Sequence, residues 1–169
     1  MLKLVILSLF SGLLLADGPV VKTGQNSEYI WGDDGTYMAG EPRSYSRDAI
    51  GVVTDKTTKL QWEDTPLSAS AYKSWSAAQS YCAQLDLNGT GWRLPTKREL
   101  ETLVDYGKSG LAIDSIFENM AFTYWSATPY VNDDTQAATV TYSGGYSQSK
   151  RSKTDTSVYV RCVRNSSSN

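Results

Sequence analysis

The chain has 169 residues with a formal net charge of −2 and pI ≈ 5.1, a length that supports one domain with a substantial core. Mild acidity excludes the strong basic footprint of a nucleic-acid-binding protein. Histidine is absent, which excludes Ser-His-Asp and Cys-His catalysis and every zinc site that needs imidazole.

Met1 to Ala16 reads as a secretory signal peptide. Lys3 precedes an almost unbroken apolar run from Leu4 to Leu15, too short to span a bilayer comfortably, and Ala16 is a plausible cleavage residue. No membrane span is then expected after cleavage. The residue directly after Ala16 is Asp17 and not a cysteine, which argues against a lipid anchor. With Lys3 removed, the formal charge of −2 becomes −3.

Residues 17–50 form an N-terminal extension rich in Gly, Ser, Asp and Tyr, without sustained periodicity. Gly32 to Gly40 lacks the ligand spacing of an EF-hand, so it reads as a surface loop or strand linker. Gly51 to Trp62 reads as a β-hairpin turning at Asp55 to Thr58. From Ser74, a possible cap, the apolar positions Trp75, Ala78, Cys82 and Leu85 follow helical spacing.

"NGTGWRLPTKREL" (Asn88 to Leu100) poses the choice between a binding site and a structural corner. Thr96 and Glu99 have capping-box spacing, Leu100, Leu103 and Val104 form an apolar stripe, and Gly107 is a natural stop. Pro95 holds Leu94 extended and sets the direction in which the chain meets the helix. Trp92 reads as a core residue and Arg93 as a partner for a carboxylate or carbonyl group.

Tyr124 to Pro129 predicts a short strand carrying Trp125 and ended by proline. Ala137 to Ser149 predicts two strands joined at Gly144-Gly145. In "SVYVRCVR", Val158, Val160 and Cys162 alternate with Tyr159, Arg161 and Val163. Residues 165–169 read as a disordered polar tail. In an exported protein the two distant cysteines, Cys82 and Cys162, most simply form one disulfide, which would contribute roughly 4 kcal/mol. It would staple the last strand to the first helix. Two sequons, Asn88-Gly-Thr90 and Asn165-Ser-Ser167, matter only in a host that glycosylates them.

The ordered set "VVTDKTTKLQW", "AQSYCAQL", "GWRLPTKRELETLVD", "AID", "YWSATP" and "YVRCVR", from Gly51 to Arg164, resembles the Lcl C-terminal domain family. That family was formerly a domain of unknown function and is grouped with C-type-lectin-like folds. The resemblance implies an α+β, C-type-lectin-like domain over residues 51–164, with two helices, short antiparallel strands and one long-range disulfide. It also implies extracellular glycan binding, because the family is named for a collagen-like surface adhesin that takes sulfated glycosaminoglycans. This chain carries no Gly-X-Y stalk, so a collagen-like trimer is not implied.

A sulfated ligand needs clustered cations. Lys150, Arg151 and Lys153 are the best candidates, with Lys97 and Arg98 a smaller pair; the competing reading for both is an ordinary solvated surface. Tyr130, Tyr142 and Tyr146 could stack on sugar rings. Asn132, Asp133 and Asp134 offer oxygen donors to calcium, though the usual signatures of calcium-dependent lectins are missing. No cofactor is expected beyond that conditional calcium. No nucleophile, base and orienter can be assembled, so the expectation is a non-catalytic binding module, secreted, periplasmic or at the cell surface. Its partner would be a glycan or, alternatively, a surface protein, with a structural role in the cell envelope competing closely.

Overall fold

The computed structural model describes residues 19–120, 123–143 and 147–166. The expected leader at 1–16, the Gly144-Gly145 turn and Tyr146 lie outside them. Among the described residues the architecture is α+β, with two sheets, a few short helices and one disulfide.

The extension is more ordered than its composition suggests. It contains a one-turn helix, α1 (Asp34–Tyr37), capped by the Asp33 carboxylate, and a strand, β1 (Tyr45–Arg47). A single turn has no apolar stripe to read, which is why the sequence shows no sign of α1. Thr23 and Arg43 dock the extension on the domain. Tyr106 donates its backbone N–H to Thr23 O at 2.9 Å, and Arg43 donates to the carbonyl oxygens of Thr102 and Val104.

The expected hairpin forms as β2 (Val52–Asp55) and β3 (Leu60–Glu63), with Asp55 accepting from the N–H groups of Thr57 and Thr58 in the turn. After a 3₁₀ turn at Pro66–Ala69 come β4 (Tyr72–Lys73) and α2 (Trp75–Gln84). Ser74 occupies the N-cap position of α2 but makes no side-chain capping bond there. Ala78 and Cys82 are buried on its inner face.

The second expected helix, α3 (Lys97–Thr102), ends earlier than the apolar stripe and well before Gly107. Gly107 is therefore not the helix stop. Its missing side chain is needed because a Cβ there would lie 2.2 Å from the carbonyl oxygen of Gly24. The glycine admits the N-terminal segment.

The chain then forms β5 (Thr123–Tyr130), β6 (Asp133–Thr141), β7 (Ser147–Ser152), β8 (Val158–Tyr159) and β9 (Val163–Asn165). Pro129 does not end β5. It sits inside the strand at a register shift, where a missing N–H is tolerated. The last segment serves both sheets: β8 joins the five-stranded sheet β4-β8-β5-β6-β7 and β9 the four-stranded sheet β1-β2-β3-β9. All strand pairs are antiparallel except β5 with β8, a departure from the all-antiparallel expectation. The expected tail also starts too early, because Asn165 belongs to β9 and Ser166 donates to Lys59 O at 2.8 Å.

Two apolar clusters result. One packs Trp62, Leu100, Leu103, Tyr124 and Val163; the other packs Cys82, Trp92, Trp125, Val160 and Cys162 beneath α2. Val163 lies in the first and Val160 and Cys162 in the second, so the last segment runs between two cores with both faces covered. The Cys82–Cys162 disulfide is present, with Cα atoms 5.4 Å apart.

Candidate functional site

The Trp92 to Glu99 stretch is a corner. Trp92 is buried, its indole N–H donates to the carbonyl oxygens of Leu87 and Gly89, and the Arg164 guanidinium covers its ring at 4.4 Å. Arg93 forks onto Glu99 at 2.8 and 2.5 Å. Leu94 is buried, and Pro95 O accepts from Ala127 N. Thr96 and Glu99 complete a reciprocal capping box. Burial alone would raise the Glu99 pKa, but hydrogen bonds from Arg93 and Thr96 outweigh it and hold the carboxyl below its usual range. Trp125 is fully buried and donates to Lys73 O at 2.8 Å.

The basic trio does not converge. Lys150 and Arg151 lie on β7, a strand and not a loop, so their side chains leave opposite faces of the sheet. Lys150 stands 4.1 Å over the Tyr130 ring. Lys153 follows the strand, sits 4.5 Å over the Trp75 ring and donates to Asp134 O. Lys97 pairs with Glu101 at 3.5 Å. Tyr142 is no stacking platform, being buried with its hydroxyl donating to Leu100 O at 2.7 Å.

The calcium candidates are a hairpin corner. Tyr130 pairs with Asp133, leaving Val131 and Asn132 as the turn, and Asp133 and Asp134 begin β6. The Asp133 carboxylate accepts from Thr135 N, Thr135 Oγ1 and Gln136 Nε2. Those bonds, the Thr135 hydroxyl first, lower its pKa. Such a carboxylate is already engaged by its own strand, and among the described residues no three His, Cys, Asp or Glu side chains gather as metal donors. The donor set does not fit calcium.

What Arg151 does reach is an open groove of ≈ 620 Å³ shared with Tyr72, Tyr159, Thr123, Thr156, Ser157 and Val158. Tyr72 and Tyr159 face each other across β4 and β8, with ring centroids 4.3 Å apart and hydroxyls bonded to each other. Asp155 accepts from Ser157 N at 2.8 Å and Ser157 Oγ at 2.6 Å, which fixes the loop at one side. The groove thus combines an exposed aromatic surface, a guanidinium and several hydroxyls. The sequence signal for it was faint: Tyr159 was readable only as the residue opposite Val158, and Tyr72 lies in a two-residue strand.

The model of the Lcl C-terminal domain family matches residues 51–164. The chain belongs to this family. No curated protein sequence matches it. Mapped onto the structure, the Lcl C-terminal domain match opens just before β2 and closes within β9, so it contains both halves of the disulfide and every groove residue. Strand β1 lies outside the match yet pairs with β2 through Tyr45, Ser46 and Arg47.

The Lcl C-terminal domain also encloses a buried charge network that sequence reasoning passed over. Glu63, Asp64 and Arg161 are all fully buried. Asp64 accepts from Arg161, from Arg47 and from the N–H groups of Glu118 and Asn119. Glu63 accepts from Tyr81, Thr65 and the N–H of Cys162. Burial and the Glu63 contact push the Tyr81 hydroxyl's pKa up, so it stays protonated as a donor. Burial opposes the Arg161 charge, but Tyr124 and Asp64 outweigh it and the guanidinium stays charged. None of these groups lines the groove. The clue was a charged residue set between Val160 and Cys162 in an alternating apolar segment.

Proposed function

We propose that this Lcl C-terminal domain is an exported, non-catalytic glycan-binding module of C-type-lectin-like fold, working in the periplasm, at the cell surface or beyond it. The groove around Arg151, Tyr72 and Tyr159 carries the reading. The apolar face of a sugar ring packs on tyrosine rings, while hydroxyls take hydrogen bonds from Ser157, Thr156 and Thr123. The planar Arg151 guanidinium suits a sulfate or carboxylate substituent, which it can grip through two parallel bonds. The disulfide supports an oxidising compartment, the apolar run Leu4 to Leu15 supports export, and the link from α2 to the terminal segment supports the lectin-like fold. The engagement of Glu63 and Asp64 by structural donors supports the non-catalytic part.

A titration of the purified chain with neutral and sulfated oligosaccharides, followed by amide chemical shifts, tests this. Shifts confined to β4, β8, Thr123 and residues 151–157 are expected. Shifts elsewhere, or none, would show that the groove does not bind these glycans.

A second reading, a protein-binding module, has its own observation. Tyr29, Ile30 and Trp31 are 85%, 72% and 81% exposed on a turn pinned by Asp33, which accepts from the N–H groups of Tyr29 and Ile30. Consecutive exposed aromatic and aliphatic side chains on an ordered turn are a natural protein contact.

A further inference from the structure

We propose that Tyr72 and Tyr159 are a site of oxidative cross-linking, at which a haem-peroxidase-type oxidant joins the two rings as dityrosine. The two residues are direct cross-strand partners on β4 and β8. Their ring centroids are 4.3 Å apart, their planes cross at 41°, and their hydroxyls are bonded to each other. Ordinary cross-strand aromatic packing requires only ring contact. Here the oxygens are also bonded to each other, which holds the two phenols together at the ends where coupling occurs. In the linked product the rings lie edge to edge, with centroids little more than two ring radii and one bond apart, so the exposed Tyr72 ring turns from face contact to edge contact without moving away.

The site is reachable. Tyr72 is 53% exposed and Tyr159 is partly exposed, both on the open groove. The shared hydrogen bond is the leading cause of the raised Tyr159 pKa, and it gives one phenol a neighbouring oxygen to receive its proton as the electron leaves.

The chemistry balances. Each phenol gives up one electron and its O–H proton, leaving a phenoxyl radical. The radicals pair at the carbons beside their oxygens, forming one C–C bond. The hydrogens on those carbons then pass to the oxygens as the rings recover aromaticity. The two electrons and two protons released reduce one hydrogen peroxide to two waters.

The bond would reinforce a link already present. Tyr72 and Tyr159 are 87 residues apart, and Cys82 and Cys162, 80 apart, join the same two stretches of chain. A carbon–carbon staple there would survive reduction of the disulfide. The proposal needs no glycan and stands or falls separately from the binding reading.

The purified chain, treated with a haem peroxidase and equimolar hydrogen peroxide, then reduced and digested, is read by mass spectrometry. The expected product is a monomer lighter by two hydrogens, with one peptide pair linked through Tyr72 and Tyr159. Tyr72→Phe and Tyr159→Phe keep a ring at each position and should each lose that product. Linkage at other tyrosines, dimers without the internal link, an unchanged product in either variant, or no loss of hydrogen would each overturn the proposal.

Discussion

Arg161 and Asp64, 97 residues apart in the chain, meet at 3.1 Å with both side chains fully buried. The pair ties the stretch between β8 and β9 to the end of β3. Arg161 also donates to Asn119 O and to Tyr124 Oη, and stacks on the Phe117 ring at 4.9 Å. Removing one partner leaves an uncompensated buried charge, which costs about 3–5 kcal/mol. Arg161→Ala and Asp64→Ala should each lower stability by that amount in urea unfolding. A loss below about 1 kcal/mol, the level of an exposed pair, would contradict the assignment.

The Cys82–Cys162 bond closes a loop of 80 residues, worth roughly 4 kcal/mol through the unfolded state. Unfolding curves of the chain with and without reductant should differ by about that much. Coincident curves would mean that the bond adds nothing to the packing of α2.

Gly107 has no room for a methyl group against Gly24 O. Gly107→Ala should therefore detach the N-terminal segment and leave the two cores intact. Limited proteolysis should then cut within residues 19–40 several times faster than in the wild type. Equal cleavage rates would show that the segment gives way at no cost.

Glu99 is held below the ordinary glutamate range by Arg93 and Thr96, against the opposing effect of burial. A depressed folded-state pKa contributes stability that is present above the unfolded-state value and is lost as pH falls through the folded-state value. Thermal midpoints should thus fall on the acid side, and Glu99→Gln should flatten part of that fall while changing little near neutrality. An unaltered acid limb in the variant would sever the link between the capping box and acid stability.

The corner at Trp92 to Glu99 was legible because its signals are local: a capping box, a proline and a bulky aromatic act within a few residues. The disulfide was legible from the number of cysteines and the expected export, and the α+β class from the resemblance carried by the ordered motifs between Gly51 and Arg164. Long-range encounters were not. Asp64 and Arg161 look like ordinary surface charges until the strands bring them together. Lys150, Arg151 and Lys153 look like one cluster because sequence proximity hides the pleat, which sends adjacent strand side chains to opposite faces. Asn132 to Asp134 suggested a ligand loop, whereas a two-residue turn between long strands left its aspartates at the start of β6. Tyr72 belongs to a strand of two residues, too short for any period to be seen, and the alternation that sets the face of Tyr159 does not reveal its cross-strand partner.

Glycan binding at the Arg151 groove is tested by a glycan array probed with the purified chain in calcium and again in chelator, beside Arg151→Ala and Lys150→Ala. A bound glycan is expected in both buffers, because Asp133 is taken up by its own strand. Loss of a charge-assisted contact of about 1.5–3 kcal/mol should weaken the Arg151→Ala signal by roughly tenfold or more, while Lys150→Ala keeps most of it. Binding to no glycan in either buffer would contradict the glycan-binding role of the groove and leave the exposed turn at Tyr29 to Trp31, as a protein contact, the better-supported surface.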